Sequence, residues 1–249
     1  LSVPNYLGAD HYSPPLPVVD ETFENAWATR IEAWLAWLQT QPLGAYYLVP
    51  NVGSWITSRE TTGYAAADGL MIEGFALEAD ASPYPYADWQ LQMNRILGAV
   101  NRGQAILGQT YVGGVQERMF ALGSYLLIKG NRTFMNVDLD LEPEWWPEYD
   151  IPIGAPTQSA GVSIANLYDA TNQVYRRNFN NGFVLVNPTN PWDGSGITVT
   201  INLGGSFQRA VASGGGTLPA NGIPTGSLTY QAVTSVTLPP YSAAVLLDP

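Results

Sequence analysis

The sequence has no cysteine, one lysine (Lys129) and one histidine (His11). Without cysteine there is no disulfide framework, no thiolate zinc site and no cysteine nucleophile. Charge is scarce as well: 12% of the 249 residues are charged, against roughly 25% in an average globular chain. The charge present is one-sided, with 21 Asp and Glu against 10 Lys and Arg and a net charge of −11. Such a surface repels phosphate backbones and polyanionic substrates, which excludes nucleic acid as a partner and leaves neutral ligands unpenalised. No run approaches the ~20 apolar residues of a membrane span. No Gly-x-Gly-x-x-Gly or Walker loop follows any expected strand, which argues against a nucleotide fold. No cofactor is implied. Asp138, Asp140 and Glu142 have the oxygen chemistry of a calcium site but not the spacing of an EF-hand, so no metal is assigned.

Hydrophobic residues make up 46% of the chain, ample for a buried core. The character changes near residue 155. Before it, short apolar runs alternate with helical patterns; after it, Gly, Thr, Asn, Ser and Pro dominate. Two domains are therefore expected, 1–155 and 156–249.

In the first, strands are expected at Asn5–Asp10, Ala45–Pro50, Gly69–Ala76, Gln104–Tyr111 and Thr133–Val137. Asp20 reads as an N-cap, and Phe23, Trp27, Ile31, Trp34 and Leu38 recur at helical spacing. A short helical piece is expected near Arg59 to Ala66, and longer helices near 87–101 and around Val115, Met119, Leu122 and Leu126. Strands joined by helices of this length must run parallel. Five strands fall short of the eight in a closed (β/α)₈ barrel, so the expected α/β part is an incomplete TIM-type barrel, with further chain or further copies of this one needed to close it.

The second part reads as a small antiparallel β-sandwich. Val174–Asn178 and Gly182–Asn187 flank an Asn-Asn-Gly turn, Ile197–Leu203 alternates strictly, and Ser227–Leu238 and Ala243–Leu247 complete the set.

The ordered segments Pro50-Asn51-Val52-Gly53, Asp68-Gly69-Leu70-Met71-Ile72-Glu73-Gly74-Phe75 and Trp146-Pro147-Glu148-Tyr149-Asp150-Ile151-Pro152-Ile153-Gly154 carry a resemblance. So do Tyr175-Arg176-Arg177-Asn178-Phe179, Gly182-Phe183-Val184-Leu185-Val186-Asn187-Pro188 and Leu238-Pro239-Pro240-Tyr241-Ser242-Ala243. Together they resemble the hypothetical glycoside hydrolase family numbered fifteen and related barrel-type hydrolases. The resemblance implies a (β/α)₈ barrel with a C-terminal β-domain, and hydrolysis of glycosidic bonds. It also implies an aspartate at a strand end, a place taken here by Asp10, beside His11.

Such hydrolysis needs two carboxyl groups flanking the scissile bond. Glu73 interrupts an apolar strand and is the first candidate, with burial expected to raise its pKa toward general-acid use. Gly74 beside it should leave room for a ligand. Asp10 is the second carboxylate. His11, Asn51 and Asp138 stand at strand ends, where barrel enzymes carry their chemistry. Trp55, Trp89, Trp145 and Trp146 are candidate stacking surfaces for a pyranose ring. The alternative for the last two is packing between the two domains.

The expected partner is carbohydrate and the expected location extracellular. The alternative to an enzyme is a non-catalytic carbohydrate-binding or structural protein of the cell exterior.

Overall fold

The computed structural model describes residues 20–58, 62–137 and 142–249. The strand expected at Asn5–Asp10, and Arg59 and Glu60, lie outside the described residues.

Helix α1 spans Glu21–Gln39 and is capped as expected: the Asp20 carboxylate accepts a 2.8 Å hydrogen bond from the Phe23 amide. Its strip of contact is narrower than its sequence pattern. Only Ala28 and Leu35 are buried, and Trp34 is 47% exposed. A short 3₁₀ turn spans Gly53–Thr57; of the helical piece expected near Arg59 to Ala66, residues 59–61 lie outside the described residues and 62–66 is not helical.

Strands β1 (Gly69–Glu73), β2 (Ala105–Thr110) and β3 (Thr133–Val137) form a parallel sheet in that order. Helices α2 (Tyr86–Asn101) and α3 (Val115–Ile128) are the crossovers between them. The stretch expected as the strand Ala45–Pro50 is displaced toward the C-terminus. Residues 48–52 run along β1, with Met71 N–H donating to Pro50 O and Val52 N–H to Met71 O, and Asn51 bridges Met71 in parallel. Thus an open βαβαβ sheet is present, and a complete barrel is not seen among the described residues.

The remainder is antiparallel. Strands β4 (Glu144–Trp145), β5 (Tyr168–Asp169), β6 (Val174–Phe179), β7 (Gly182–Asn187), β8 (Val199–Ser213), β9 (Gly216–Thr217), β10 (Ser227–Leu238) and β11 (Ser242–Leu247) follow in order. Six of them make one sheet, β10-β8-β11-β7-β6-β5, while β4 pairs with β9. The expected two-sheet sandwich is corrected here: its layers belong to a single sheet. Between the pairs Phe207–Val233 and Asn202–Ser235, β8 carries residues 203–206 opposite Thr234 alone, with Gly204 at φ +72°. A bulge of this kind bends the strand. Beyond it Ile201, Val236 and Leu238 pack on Phe183, Leu185, Ala244 and Leu246 as a separate apolar cluster.

The other face of this sheet receives α3. A helix buried nearly all round has a partner on each side, and Arg118 through Ser124 are all buried. A Cβ built on Gly123 would stand 2.5 Å from Ala243 Cβ and 3.0 Å from Val186 Cγ2, so glycine sets the helix-to-sheet distance. One continuous apolar cluster therefore joins Leu70, Ile72 and Ile106 of the parallel sheet to Val184, Val186 and Val245 of the antiparallel one. Arg177 on β6 reinforces the junction. Its guanidinium donates to the carbonyls of Leu126, Leu127 and Lys129 at the C-terminal end of α3, where helical carbonyls otherwise lack donors.

Candidate active site

Period-two alternation sorts the parallel sheet into two faces. Leu70, Ile72 and Ile106 are buried on the helix-covered face. The register aligns Met71, Leu107 and Phe134 as one row of the opposite face, and Glu73, Gln109 and Asn136 as the next row toward the C-terminal ends of the strands. The first row is apolar and open, with Leu107 40% and Phe134 57% exposed. The second is a polar band. Asn136 Nδ2 donates to Gln109 Oε1 at 3.0 Å.

Glu73 ends β1 and is exposed. Both its oxygens are engaged by neutral donors: Asn51 Nδ2 reaches Oε2 at 2.7 Å and the Tyr111 hydroxyl reaches Oε1 at 2.8 Å. Asn51 is oriented in turn by the Gly53 amide, which donates to its Oδ1 at 3.0 Å. That loop runs so close to β1 that a Cβ at Gly53 would stand 2.5 Å from Glu73 O.

The hydrogen bonds from Asn51 and then Tyr111 hold the Glu73 carboxyl below its ordinary value, outweighing the opposing push of desolvation. The raised pKa expected for Glu73 is therefore corrected. The strand end is open to solvent, and donors to the charged form outweigh burial. Gly74 leaves no room for a ligand either. It is left-handed at φ +78°, and a Cβ there would lie 2.6 Å from the Tyr84 hydroxyl, which donates to Gly74 O.

Of the residues expected to form the site, the structure brings Asn51 and Glu73 into contact. Trp55 and Trp89 are core residues, 4% and 1% exposed, with their indole N–H groups donating to Thr62 O and Ser124 Oγ. Their apolar faces meet protein on all sides, which removes them as sugar platforms. Trp145 and Trp146 are half-buried around β4. Trp145 meets Tyr149 edge-on, while Trp146 lies under the Arg118 guanidinium and against Gly215. Trp146 thus packs between α3 and the β8–β9 connection, while Trp145 packs on its own segment. Glu148 of the same acidic run is buried in an ion pair with Arg118. Asp10, His11 and Asp138 lie outside the described residues.

Three residues around Glu73 were missed in the sequence: Gln109 and Asn136 of the band, and Tyr111 just past β2. For Gln109 and Asn136 the signal was a polar side chain breaking a short apolar strand, the same signal that singled out Glu73; Tyr111 carried no such signal.

Among the described residues no group of three or more His, Asp or Glu side chains could hold a metal. No described helix is long and apolar enough to cross a membrane.

A carboxylate clamped by an amide and a phenol stands on a polar band at the C-terminal ends of the parallel strands of this α/β protein, the end at which (β/α) enzymes carry their catalytic groups. The model of the hypothetical glycosyl hydrolase family 15 matches residues 9–183. This is well over half of the chain, which belongs to that family. No curated protein matches it.

Proposed function

We propose that this protein hydrolyses glycosidic bonds in a neutral carbohydrate outside the cell, with Glu73 as the carboxylate that attacks the anomeric carbon or activates water. The observation that carries the reading is the paired clamp of Asn51 and Tyr111 on Glu73. A carboxylate kept charged suits a nucleophile or general base; a general acid needs the opposite shift. Exposed Asn136, oriented by its hydrogen bond to buried Gln109, offers an amide to sugar hydroxyls. The general acid falls to Asp10, the family's strand-end position, or to Asp138, directly after β3 in sequence.

The test is hydrolysis of a panel of aryl glycosides and neutral oligosaccharides by wild type and Glu73→Gln. Loss of at least ~10³-fold in kcat/KM is expected when a nucleophile or base is removed. In a nucleophile role, azide added to Glu73→Ala restores turnover and yields a glycosyl azide. Full activity in Glu73→Gln would overturn the assignment.

The open apolar row of Leu107 and Phe134 beside the band favours a second reading. Here another chain or a second copy covers this face, as a completed barrel or as a non-catalytic carbohydrate-binding assembly. Light scattering on the purified protein tests it: a strict monomer with glycosidase activity excludes it.

A further inference from the structure

A further cleft shares no lining residue with the polar band. It has a volume of about 390 Å³ and is lined by Glu78, Pro83 and Pro85 of the β1–α2 loop and by Asn190, Trp192 and Asp193 of the β7–β8 loop. Trp192 is 69% exposed. This open indole has one aromatic neighbour, and its backbone is anchored in the loop. Its ring stacks on Tyr241 with centroids 5.8 Å apart and planes 30° from parallel. Its backbone N–H donates to Asn190 Oδ1 at 2.8 Å.

The two loops are tied together beneath it. Buried Asn190 donates through Nδ2 to the carbonyls of Pro83 and Tyr84 at 2.9 and 3.0 Å. Asp193 Oδ2 accepts from the Tyr86 amide at 2.7 Å, and its Oδ1 accepts from Ser195. The walls are thus fixed by side-chain to backbone bonds across more than 100 residues of sequence. The Glu78 carboxylate remains exposed on one wall.

A solvent-facing indole stacked on a tyrosine beside carboxylates, in a groove whose walls are cross-tied, is matched to one ligand chemistry. The aromatic face takes the C–H face of a pyranose, and carboxylate edges accept its hydroxyl protons. The same carboxylates reject anionic sugars. Preorganisation also lowers the cost of ordering the site.

We infer that the Trp192 cleft is a carbohydrate-binding subsite, separate from Glu73, that takes a neutral pyranose unit of a glycan chain. The ligand class rests on the carbohydrate reading above, but no catalytic step does. Trp192, Asn190 and Asp193 lie beyond residues 9–183, the span matched by the family model, while Glu78, Pro83 and Pro85 lie within it.

Affinity electrophoresis in gels cast with mixed-linkage β-glucan, xyloglucan, galactomannan or amylopectin tests the subsite, with polygalacturonate as the anionic control. At least one neutral polymer should retard the wild type, and Glu73→Gln should be retarded equally. Trp192→Ala should lose at least ~10-fold in affinity, Trp192→Tyr should keep part of the retardation and Glu78→Ala should weaken it. Trp192 and Glu78 are exposed, so these variants keep the wild-type circular dichroism and melting point. Failure of all four neutral polymers to retard the wild type would overturn the proposal. So would retardation of Trp192→Ala equal to wild type, or a preference for polygalacturonate. Binding abolished by Glu73→Gln and untouched by Trp192→Ala overturns the subsite while sustaining the Glu73 site. Binding lost in Trp192→Ala, with no hydrolysis by wild type, sustains the subsite alone.

Discussion

Replacing Arg177 with methionine removes the donors that join the antiparallel sheet to the end of α3 while keeping an unbranched side chain to fill the space. Arg177 is 5% exposed. Its Nη1 lies 2.9 Å from each of three carbonyls, those of Leu126, Leu127 and Lys129, and its Nε lies 3.0 Å from Gln158 O. The side chain has no carboxylate partner in these bonds, and burial pulls its pKa down to about 10, so the cation is stabilised chiefly by carbonyl dipoles. Hydrogen bonds to a charged group contribute about 1.5–3 kcal/mol each, and a buried carbonyl left without a donor costs about 1–3 kcal/mol. Against that loss stands relief of the desolvation of one buried cation, several kcal/mol. The shared Nη1 bonds do not add in full, and the net expectation is a loss of about 3 kcal/mol.

Lysine should recover little, because a point ammonium cannot span the fork of acceptors. The assay is urea unfolding followed by tryptophan fluorescence and far-ultraviolet circular dichroism. Since one apolar cluster joins both sheets, the two probes should report a single coincident transition in wild type and variant. A loss below about 1 kcal/mol would refute the reasoning, because it would mean that water or neighbouring amides satisfy those carbonyls as well as the guanidinium does.

Asn51→Ala removes the largest cause of the depressed Glu73 pKa, so the carboxyl should titrate at higher pH in a carbon-13 NMR titration, and Tyr111→Phe should act in the same direction. The folded value lies below the ordinary glutamate value of 4.5, so the stability that Glu73 contributes is present above that value and lost as pH falls through the folded one. The gap in stability between wild type and Asn51→Ala should therefore close below about pH 4.5, and the acid limb of any activity profile should move upward in the variant. Gly123→Val places branched carbon where a Cβ alone would already stand 2.5 Å from Ala243 Cβ. A loss of about 3 kcal/mol or more is expected in the same urea assay, and a loss under 1 kcal/mol would show that α3 can move away from the sheet freely.

Local pattern carried much of the architecture. Thr133–Val137, Ser227–Leu238 and the Asn180–Asn181 turn were legible because each is decided by residues a few positions apart, through alternation, turn chemistry and glycine. The bend in the β8–β10 hairpin was not, because it depends on residues 203–206 meeting only Thr234 of a strand about 30 positions away. That pairing turned an expected sandwich into one folded sheet. At the site, Glu73 and Asn51 were legible as polar strand ends. Tyr111 was not, because it sits one residue past β2 and only the sheet register brings its hydroxyl to Glu73. Trp55 and Trp89 were misread for a related reason. A tryptophan near a functional face has the same sequence signature whether its ring points outward or into the core, and here the cluster around Tyr64, Met93 and Ile96 claims both.

The polar band and the open apolar row together fix what any cover for this face must do. Glu73 is open to water, so its two hydrogen bonds act in a medium that screens them. Material laid over Leu107 and Phe134, whether substrate or polypeptide, would exclude that water from the adjoining row. Desolvation of Glu73 would then grow and push its pKa up, while the bonds from Asn51 and Tyr111 would strengthen in the lower dielectric and push it down. Two donors on one carboxylate let the charged form persist under cover, whereas a carboxylate with neither would take up a proton and cease to be a nucleophile. On this argument the clamp has its main effect in the covered state. Removing Asn51 should accordingly depress kcat, which reads the covered site, more than it raises KM. An equal effect on both would place the contribution of Asn51 in ground-state binding alone.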